Sequence, residues 1–321
     1  MQTNRYWTLR RVLKYSSPLI RLFEKPLIRK YGEKLPKSHP VFIIGLPRSG
    51  STFVYQLLSD LFDVNYLDNL MNLGRECLYF TAWLSHLIYG DRPHHSYASE
   101  FGDTWESGLH APSEAGPLWY RWIPGDMIYL NENSLDQRQR RSMSRNLYAL
   151  INRYRKPLLI KNLFFANRIR LIRSVFPLAK FILVERESIY VAQSIYLSRL
   201  KNTKDPATEW WSVKFKGYEQ LMDKQIVEQV AGQVAALESI IRKDLAEVDP
   251  SLVLRISYEK FQEDLQTELM GSFLETGMRK GSSREQVKFR MENRQKVDDF
   301  IFERLKESLE YYRNKPLNLQ I

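Results

Sequence analysis

Residues 41–52 constrain the fold of this 321-residue chain more than any other segment. The run VFIIG (41–45) is apolar on both faces and rich in β-branched residues, the pattern of a strand buried inside a parallel sheet. LPRSGS follows as a turn, and TFVYQLLSDLF then has helical periodicity. Glycines at 45 and 50 permit a tight turn in which successive backbone N–H groups point at one anion. The helix that starts near Ser51 adds its positive dipole end. The spacing matches the first part of a nucleoside-triphosphate loop, G-x-x-x-x-G, but that motif continues with Lys and Ser/Thr. Here Ser51 occupies the lysine position, and the cation, Arg48, lies inside the loop. Without that lysine the contact to β- and γ-phosphates is missing, which argues against a kinase or ATPase. The plainer alternative is a strand–helix turn whose glycines serve geometry alone.

Further short apolar runs alternate with helical patterns. PLLIK ends at Lys161, KFILV spans 180–184 and SLVLRI spans 251–256. Helical patterns cover about 166–176, the stretch from Ser188, and 209–247, 259–278 and 283–313. This alternation predicts an α/β fold: a P-loop-like parallel sheet flanked by helices. Ligands in such sheets sit at the carboxyl ends of the strands, here the loops after Gly45, Lys161 and Val184. Polar residues 31–40, with two prolines and a glycine, divide a basic N-terminal arm (1–40) from one domain (41–321). Within that domain, residues 91–135 form a long irregular insertion, rich in Pro, Gly, Trp, His and acidic residues. A basic helix follows at 136–155, and the C-terminal part is helical.

Lys and Arg total 48 against 37 Asp and Glu, a net charge of +11. That balance favours an anionic partner: a nucleotide, an acidic glycan, a nucleic acid or a lipid surface. The single cysteine, Cys77, excludes an intramolecular disulfide and fits a reducing compartment. Arg10, Arg11 and Lys14 interrupt the N-terminal apolar residues, unlike a signal peptide, and no run reaches the ~18 apolar residues of a bilayer span. The expectation is a cytoplasmic protein whose basic, aromatic arm is an ordinary helix packed through Trp7, Leu9, Val12 and Leu13. The alternative for the arm is peripheral contact with a membrane surface. His94-His95 lacks flanking ligands at useful spacing, so no metal site is expected. The basic helix reads as a solvated face over Leu147, Leu150 and Ile151, so no nucleic-acid partner is expected.

GLPRSGST after an apolar strand resembles the 5′-phosphosulfate-binding loop of sulfotransferases that use 3′-phosphoadenosine 5′-phosphosulfate (PAPS). Cytosolic members commonly carry Lys at the position of Arg48; tyrosylprotein sulfotransferases and many bacterial members carry Arg, as here. Residues 176–188 (FPLAKFILVERES), with Val191 and Ser194, are similar to the family's second signature, a strand ending in Arg with Ser eight residues later. The match runs from about 41 to 200, with weaker similarity at VLRISYEKF (253–261). The resemblance implies the sulfotransferase fold, PAPS as sulfate donor without metal, and a loop of Arg48, Ser49, Gly50, Ser51 and Thr52 around the 5′-phosphosulfate. It implies Arg186 and Ser194 as 3′-phosphate ligands and Lys161 as the group that neutralises the transferring sulfuryl or leaving oxygen. Arg-Glu-Ser replaces the usual Arg-Asp-Pro at 186–188, where Ser188 can cap the following helix. Arg279-Lys280-Gly281 resembles the Arg-Lys-Gly phosphate loop of cytosolic members, but the residues after it do not continue that pattern. Physically, Arg186 at a strand end can grip a phosphate through its planar fork.

The acceptor hydroxyl needs a base, and the segment LHAPSEAGP (109–117) offers His110 and Glu114. An ordinary histidine titrates at ~6.5 and an ordinary glutamate at ~4.3, but a partly desolvated aromatic pocket raises a carboxyl toward the working range. Cytosolic relatives use His, whereas tyrosylprotein and several bacterial relatives use Glu; the Arg48 loop resembles the latter, which favours Glu114. Trp105, Trp119, Tyr120, Trp122 and Tyr129 form either an acceptor platform or the insertion's own core. The leading expectation is a sulfotransferase acting on a hydroxyl of a carbohydrate or glycolipid. The rival is a degenerate P-loop nucleotide-binding protein with a basic nucleic-acid or membrane surface.

Overall fold

The computed structural model describes residues 2–92, 94, 97, 99, 102, 104–123, 128–261, 267–279 and 291–319, the first four by backbone alone. A parallel five-stranded sheet organises them, in the order β2-β3-β1-β4-β5. Its strands are β1 (Val41–Gly45), β2 (Asn65–Tyr66), β3 (Leu158–Lys161), β4 (Lys180–Glu185) and β5 (Val253–Ser257). Central β1 is buried throughout, as its doubly apolar sequence requires. It pairs with β3 from Val41↔Leu159 to Ile43↔Lys161, and with β4 from Val41↔Lys180 to Gly45↔Val184. Gly45, Lys161 and Val184 therefore end side by side at one edge.

The helices in chain order are α1 (Gln2–Gly32), α2 (Ser51–Leu61), α3 (Asn69–Leu73), α4 (Leu78–Tyr89), α5 (Gly116–Trp119) and α6 (Gln137–Tyr154). They continue with α7 (Ile169–Val175), α8 (Ser188–Asn202), α9 (Ile226–Leu245), α10 (Thr267–Leu274) and α11 (Asp299–Asn314). One face of the sheet packs through Phe42, Ile160, Phe181 and Leu183 into the larger core, with α6, α7 and α9. The other packs through Ile43, Leu159 and Ile182 onto Val54, Leu57 and Leu58 of α2. A capping box starts α6: Gln139 N donates to Asp136 Oδ1 (2.7 Å) and Asp136 N donates to Gln139 Oε1 (2.9 Å).

Three expectations change. The stretch 209–247 is α-helical only from Ile226 to Leu245, with a short 3-10 turn at Tyr218–Leu221. Before it, buried Gln233 Nε2 donates to Val213 O (2.7 Å) and Gln229 Nε2 donates to Lys224 O (2.8 Å). These side-chain amides satisfy carbonyls that a helix would have occupied. Of 283–313, residues 291–298 are not helical; Asp298 caps α11 by accepting from Ile301 N (2.9 Å). In α1 the packed face is Leu13, Ser17, Glu24 and Ile28, while Trp7 and Val12 are 66% and 56% exposed. Pro18 and Pro26 lie on the exposed side of α1, and the Lys14 carbonyl that Pro18 frees accepts from Ser17 Oγ (2.8 Å). Strand β2 is too short to leave a period in the sequence.

Asp244, near the C-terminus of α9, is fully buried. Arg170 Nε of α7 lies 3.2 Å from its Oδ1, without the alignment of a hydrogen bond. Desolvation outweighs Arg170 and pushes the carboxyl up to about 6. The folded state thus holds a proton that the unfolded chain has released, so this group's contribution to stability falls as pH rises between about 4 and 6. Across that window wild-type unfolding free energy should fall relative to Asp244→Asn by ~2–3 kcal/mol. Denaturant titrations of both proteins at pH 4.5 and 7 check this, and parallel pH profiles would refute it.

Candidate active site

The turn after β1 is held by close contacts. A side chain at Gly45 would place its Cβ 2.6 Å from Val184 O, across the β1–β4 pair. Gly50 has φ 91°, and a Cβ there would meet the Tyr258 ring at 2.7 Å. Between them Arg48 is itself left-handed, at φ 67°. No side chain caps the first turn of α2, which leaves its leading amides for an anion to meet.

Arg48 is set among α8 and β4. Its Nε donates to Ser194 Oγ of α8 (3.0 Å). Arg186, just past β4, donates from Nη1 to Arg48 O (3.0 Å), from Nε to Asn293 Oδ1 (2.8 Å) and from Nη2 to Glu292 O (3.2 Å). Its guanidinium lies 4.4 Å from the Tyr258 ring centroid. Burial lowers the pKa of both guanidiniums, and the Arg186 charge lowers that of Arg48 further. Two desolvated cations facing each other make a spot that an anion would stabilise.

On the other side of β1, buried Lys161 donates to Thr52 Oγ1 of α2 (3.0 Å) and pairs with Glu114. Glu114 Oε2 also accepts from Leu163 N (3.1 Å). Its own carbonyl accepts from Asn162 Nδ2 (3.1 Å) and Trp119 Nε1 (3.0 Å). The segment bearing Glu114 is anchored by Ser113 N donating to Leu67 O (2.7 Å) and by an Asp68–Pro112 bridge. Irregular chain is thus fixed at both ends of the carboxylate.

One cleft of about 1080 Å³ joins these groups. Arg48, Gly50, Ser51, Thr52, Glu114, Lys161, Arg186 and Ser194 all line it. Ser49 is fully buried beneath the loop beside Gly45 and contributes no side chain to the cleft. His110 lies in a separate, smaller pocket: it stacks on Tyr89 (centroids 4.4 Å apart), and its Nε2 lies 2.9 Å from Tyr66 Oη and 2.9 Å from Arg92 O. The two candidate bases, four residues apart in sequence, are therefore in different environments.

The five aromatics expected as an acceptor platform do not line the cleft. Trp119 and Trp122 are buried in the main core, Trp105 packs against Tyr6 of α1, Tyr129 packs on the core, and Tyr120 is exposed. Arg279 sits at the C-terminal end of α2, donating to Phe62 O (3.1 Å); Lys280 and Gly281 lie outside the described residues. Of the histidine pair, His94 is buried and His95 lies outside the described residues. Among the described residues there is no cluster of three His, Cys, Asp or Glu able to hold a metal.

Several cleft residues left no signal in the sequence. Glu292 and Lys296 come from the non-helical 291–298 stretch, where Glu292 N donates to Tyr258 Oη (3.2 Å), Lys296 N donates to Gln193 Oε1 (2.6 Å) and Asn293 supports Arg186. Tyr97, Tyr190 and Trp211 add aromatic walls. Tyr258 lies inside the weaker similarity at 253–261.

Comparison with solved structures finds similarity to sulfotransferase STF9 from Mycobacterium avium: 13% identity, 93% of this chain and 73% of that one covered, TM-score 0.49. Sulfotransferase STF1 from Mycobacterium tuberculosis H37Rv is similar at 15% identity, over 79% and 72% of the two chains, with TM-score 0.46. The sulfotransferase domain from the curacin biosynthetic pathway is similar at 17% identity, over 75% of each chain, with TM-score 0.41. No curated protein matches the chain. Residues 40–271, which carry the strand–loop–helix turn, Glu114, Lys161 and Arg186, match the Sulfotransferase family, and the chain belongs to it.

Proposed function

We propose that the enzyme transfers the sulfuryl group of PAPS to a hydroxyl of a carbohydrate or glycolipid, with Glu114 as the base. The observation that carries this reading is the meeting, in one cleft, of an uncapped helix start, two facing guanidiniums and a Glu–Lys pair. The donor supplies a sulfuryl group attached to a 5′-phosphate leaving group. The amides of the turn, with Arg48, Ser51 and Thr52, hold the 5′ end. Arg186 keeps N–H donors beyond those used on Arg48, Glu292 and Asn293, because a guanidinium has five; with Ser194 it holds the 3′-phosphate.

Lys161 bridges the two halves of the site through Thr52 and Glu114. It shields charge that builds on the leaving oxygen as the acceptor oxygen forms its new bond to sulfur. Glu114 takes the hydroxyl proton, and its backbone anchors keep it where the acceptor must lie. Tyr97, Tyr190 and Trp211, with the polar groups of Gln193 and Ser198, suit the faces and hydroxyls of a sugar ring. The rival reading, a nucleotide-binding protein without catalysis, gives no role to the Glu114–Lys161 pair.

Calorimetry with adenosine 3′,5′-bisphosphate, set against ATP, tests the donor assignment. The bisphosphate should bind without Mg²⁺, and preference for Mg²⁺–ATP would overturn it. Arg186→Ala should weaken bisphosphate binding by about 1.5–3 kcal/mol. Adenosine 5′-phosphosulfate, which lacks the 3′-phosphate, should lose less; equal losses would assign Arg186 only to supporting Arg48. Glu114→Gln should lower kcat by ~10²–10⁴ while bisphosphate affinity stays near wild type. His110→Ala, outside the cleft, should keep wild-type turnover. Reversal of these two results would move the base to His110.

A further inference from the structure

Helix α1 has three faces. With 3.6 residues per turn, Leu13, Ser17, Glu24 and Ile28 share the face that packs on the domain. Arg11, Lys14, Arg21, Lys25 and Arg29 fall together on one flank, within about 80° of arc. The outward face is apolar: Tyr15, Leu19, Leu22 and Phe23 are 78%, 63%, 60% and 72% exposed. The helix carries eight Lys or Arg against one acid, Glu24. That acid is buried, accepts from Phe80 N of α4 (3.1 Å), and has its pKa raised by the burial.

The basic flank continues across a groove of about 650 Å³ between α1 and α6. Arg21, Lys25 and Arg29 line one wall; Arg138, Arg141 and Arg145 line the other. Among the described residues, no ion pair or side-chain hydrogen bond neutralises Lys25, Arg138 or Arg141. Glu33 pairs with Arg29 and Arg145, and Glu24 lies in the groove near Arg21, so these two acids offset only part of the repulsion among seven lining cations; the same helix also exposes an apolar face. No described helix is long and apolar enough to cross a membrane.

We propose that α1 is a membrane-surface helix, with its Tyr15–Phe23 face in the interface of an anionic bilayer and phospholipid headgroups in the α1–α6 groove. The charge pattern selects this occupant: an apolar ridge bordered by a basic flank in excess over its acids matches acyl boundary and anionic headgroup side by side. A soluble acidic partner would use the groove and leave the ridge unexplained. A purely apolar partner would leave the cations unpaired. The proposal does not depend on the donor or acceptor assigned to the cleft.

The test is cosedimentation of the full chain with vesicles of pure phosphatidylcholine and of phosphatidylcholine mixed with phosphatidylglycerol. The wild type should bind the mixed vesicles, more weakly as salt rises, and not the neutral ones. Leu19→Asp/Phe23→Asp and Lys25→Glu/Arg141→Glu change exposed side chains, and each should weaken partitioning by about tenfold or more. Adenosine 3′,5′-bisphosphate affinity and thermal unfolding should stay at wild-type values, which separates this result from misfolding or damage to the cleft. Equal binding to both vesicle types, or variants that bind like wild type, would overturn the proposal. So would an apolar-face variant that dissolves a dimer while the wild type ignores vesicles, since a second copy would then cover the ridge. Binding of free inorganic phosphate in the groove without vesicle binding would overturn it as well.

Discussion

Gly45 and Val184 are register partners at the ends of β1 and β4, and no side chain fits between them. That close approach lets the chain turn sharply out of β1 while Arg186 emerges from β4 directly beside the turn. Arg186 then donates to the Arg48 carbonyl, so the anion loop is held from the neighbouring strand as well as by its own glycines. The arrangement concentrates positive charge against a desolvation cost, seen in the lowered pKa values of Arg48 and Arg186. Asn293 and the Tyr258 ring brace Arg186 and fix its orientation.

The Glu114 side of the cleft follows a different logic. Glu114 belongs to an irregular segment, which would ordinarily be a poor place for a precisely set carboxylate. The insertion compensates by burying Trp119 and Trp122 in the main core, and the Trp119 indole N–H returns to the Glu114 carbonyl. Aromatics that look like a binding platform in sequence thus act as the foundation under a side chain that reaches the cleft. Lys161, at the end of β3, closes the link between this foundation and the first turn of α2.

Charge is distributed unevenly. The cleft pairs its cations with Glu114 and Ser194, while the α1–α6 groove leaves several unneutralised. A net charge of +11 therefore does not describe one diffuse field. It has two concentrations with different surroundings, a cleft that holds the Glu114 carboxylate and a groove beside an apolar ridge.

By itself the sequence determined four of the five strands, the anion loop and the position of Arg186 at a strand end. Short doubly apolar runs, glycine spacing and a helix-patterned continuation are local properties, legible without any partner. The two-residue β2 exists only because Asn65 and Tyr66 find β3 as a neighbour. The break at 209–225 depends on side-chain amides of Gln229 and Gln233 that arrive from a later helix. Asn293 reaches Arg186 across 107 residues of sequence. His110 and Glu114 share one irregular segment, where only the family resemblance favoured Glu114; tertiary structure set Glu114 beside Lys161 and turned His110 toward Tyr66 and Tyr89. Local periodicity encodes which residues are buried in an element, whereas a site depends on distant backbone and side-chain groups brought within hydrogen-bond range, and no local pattern records that.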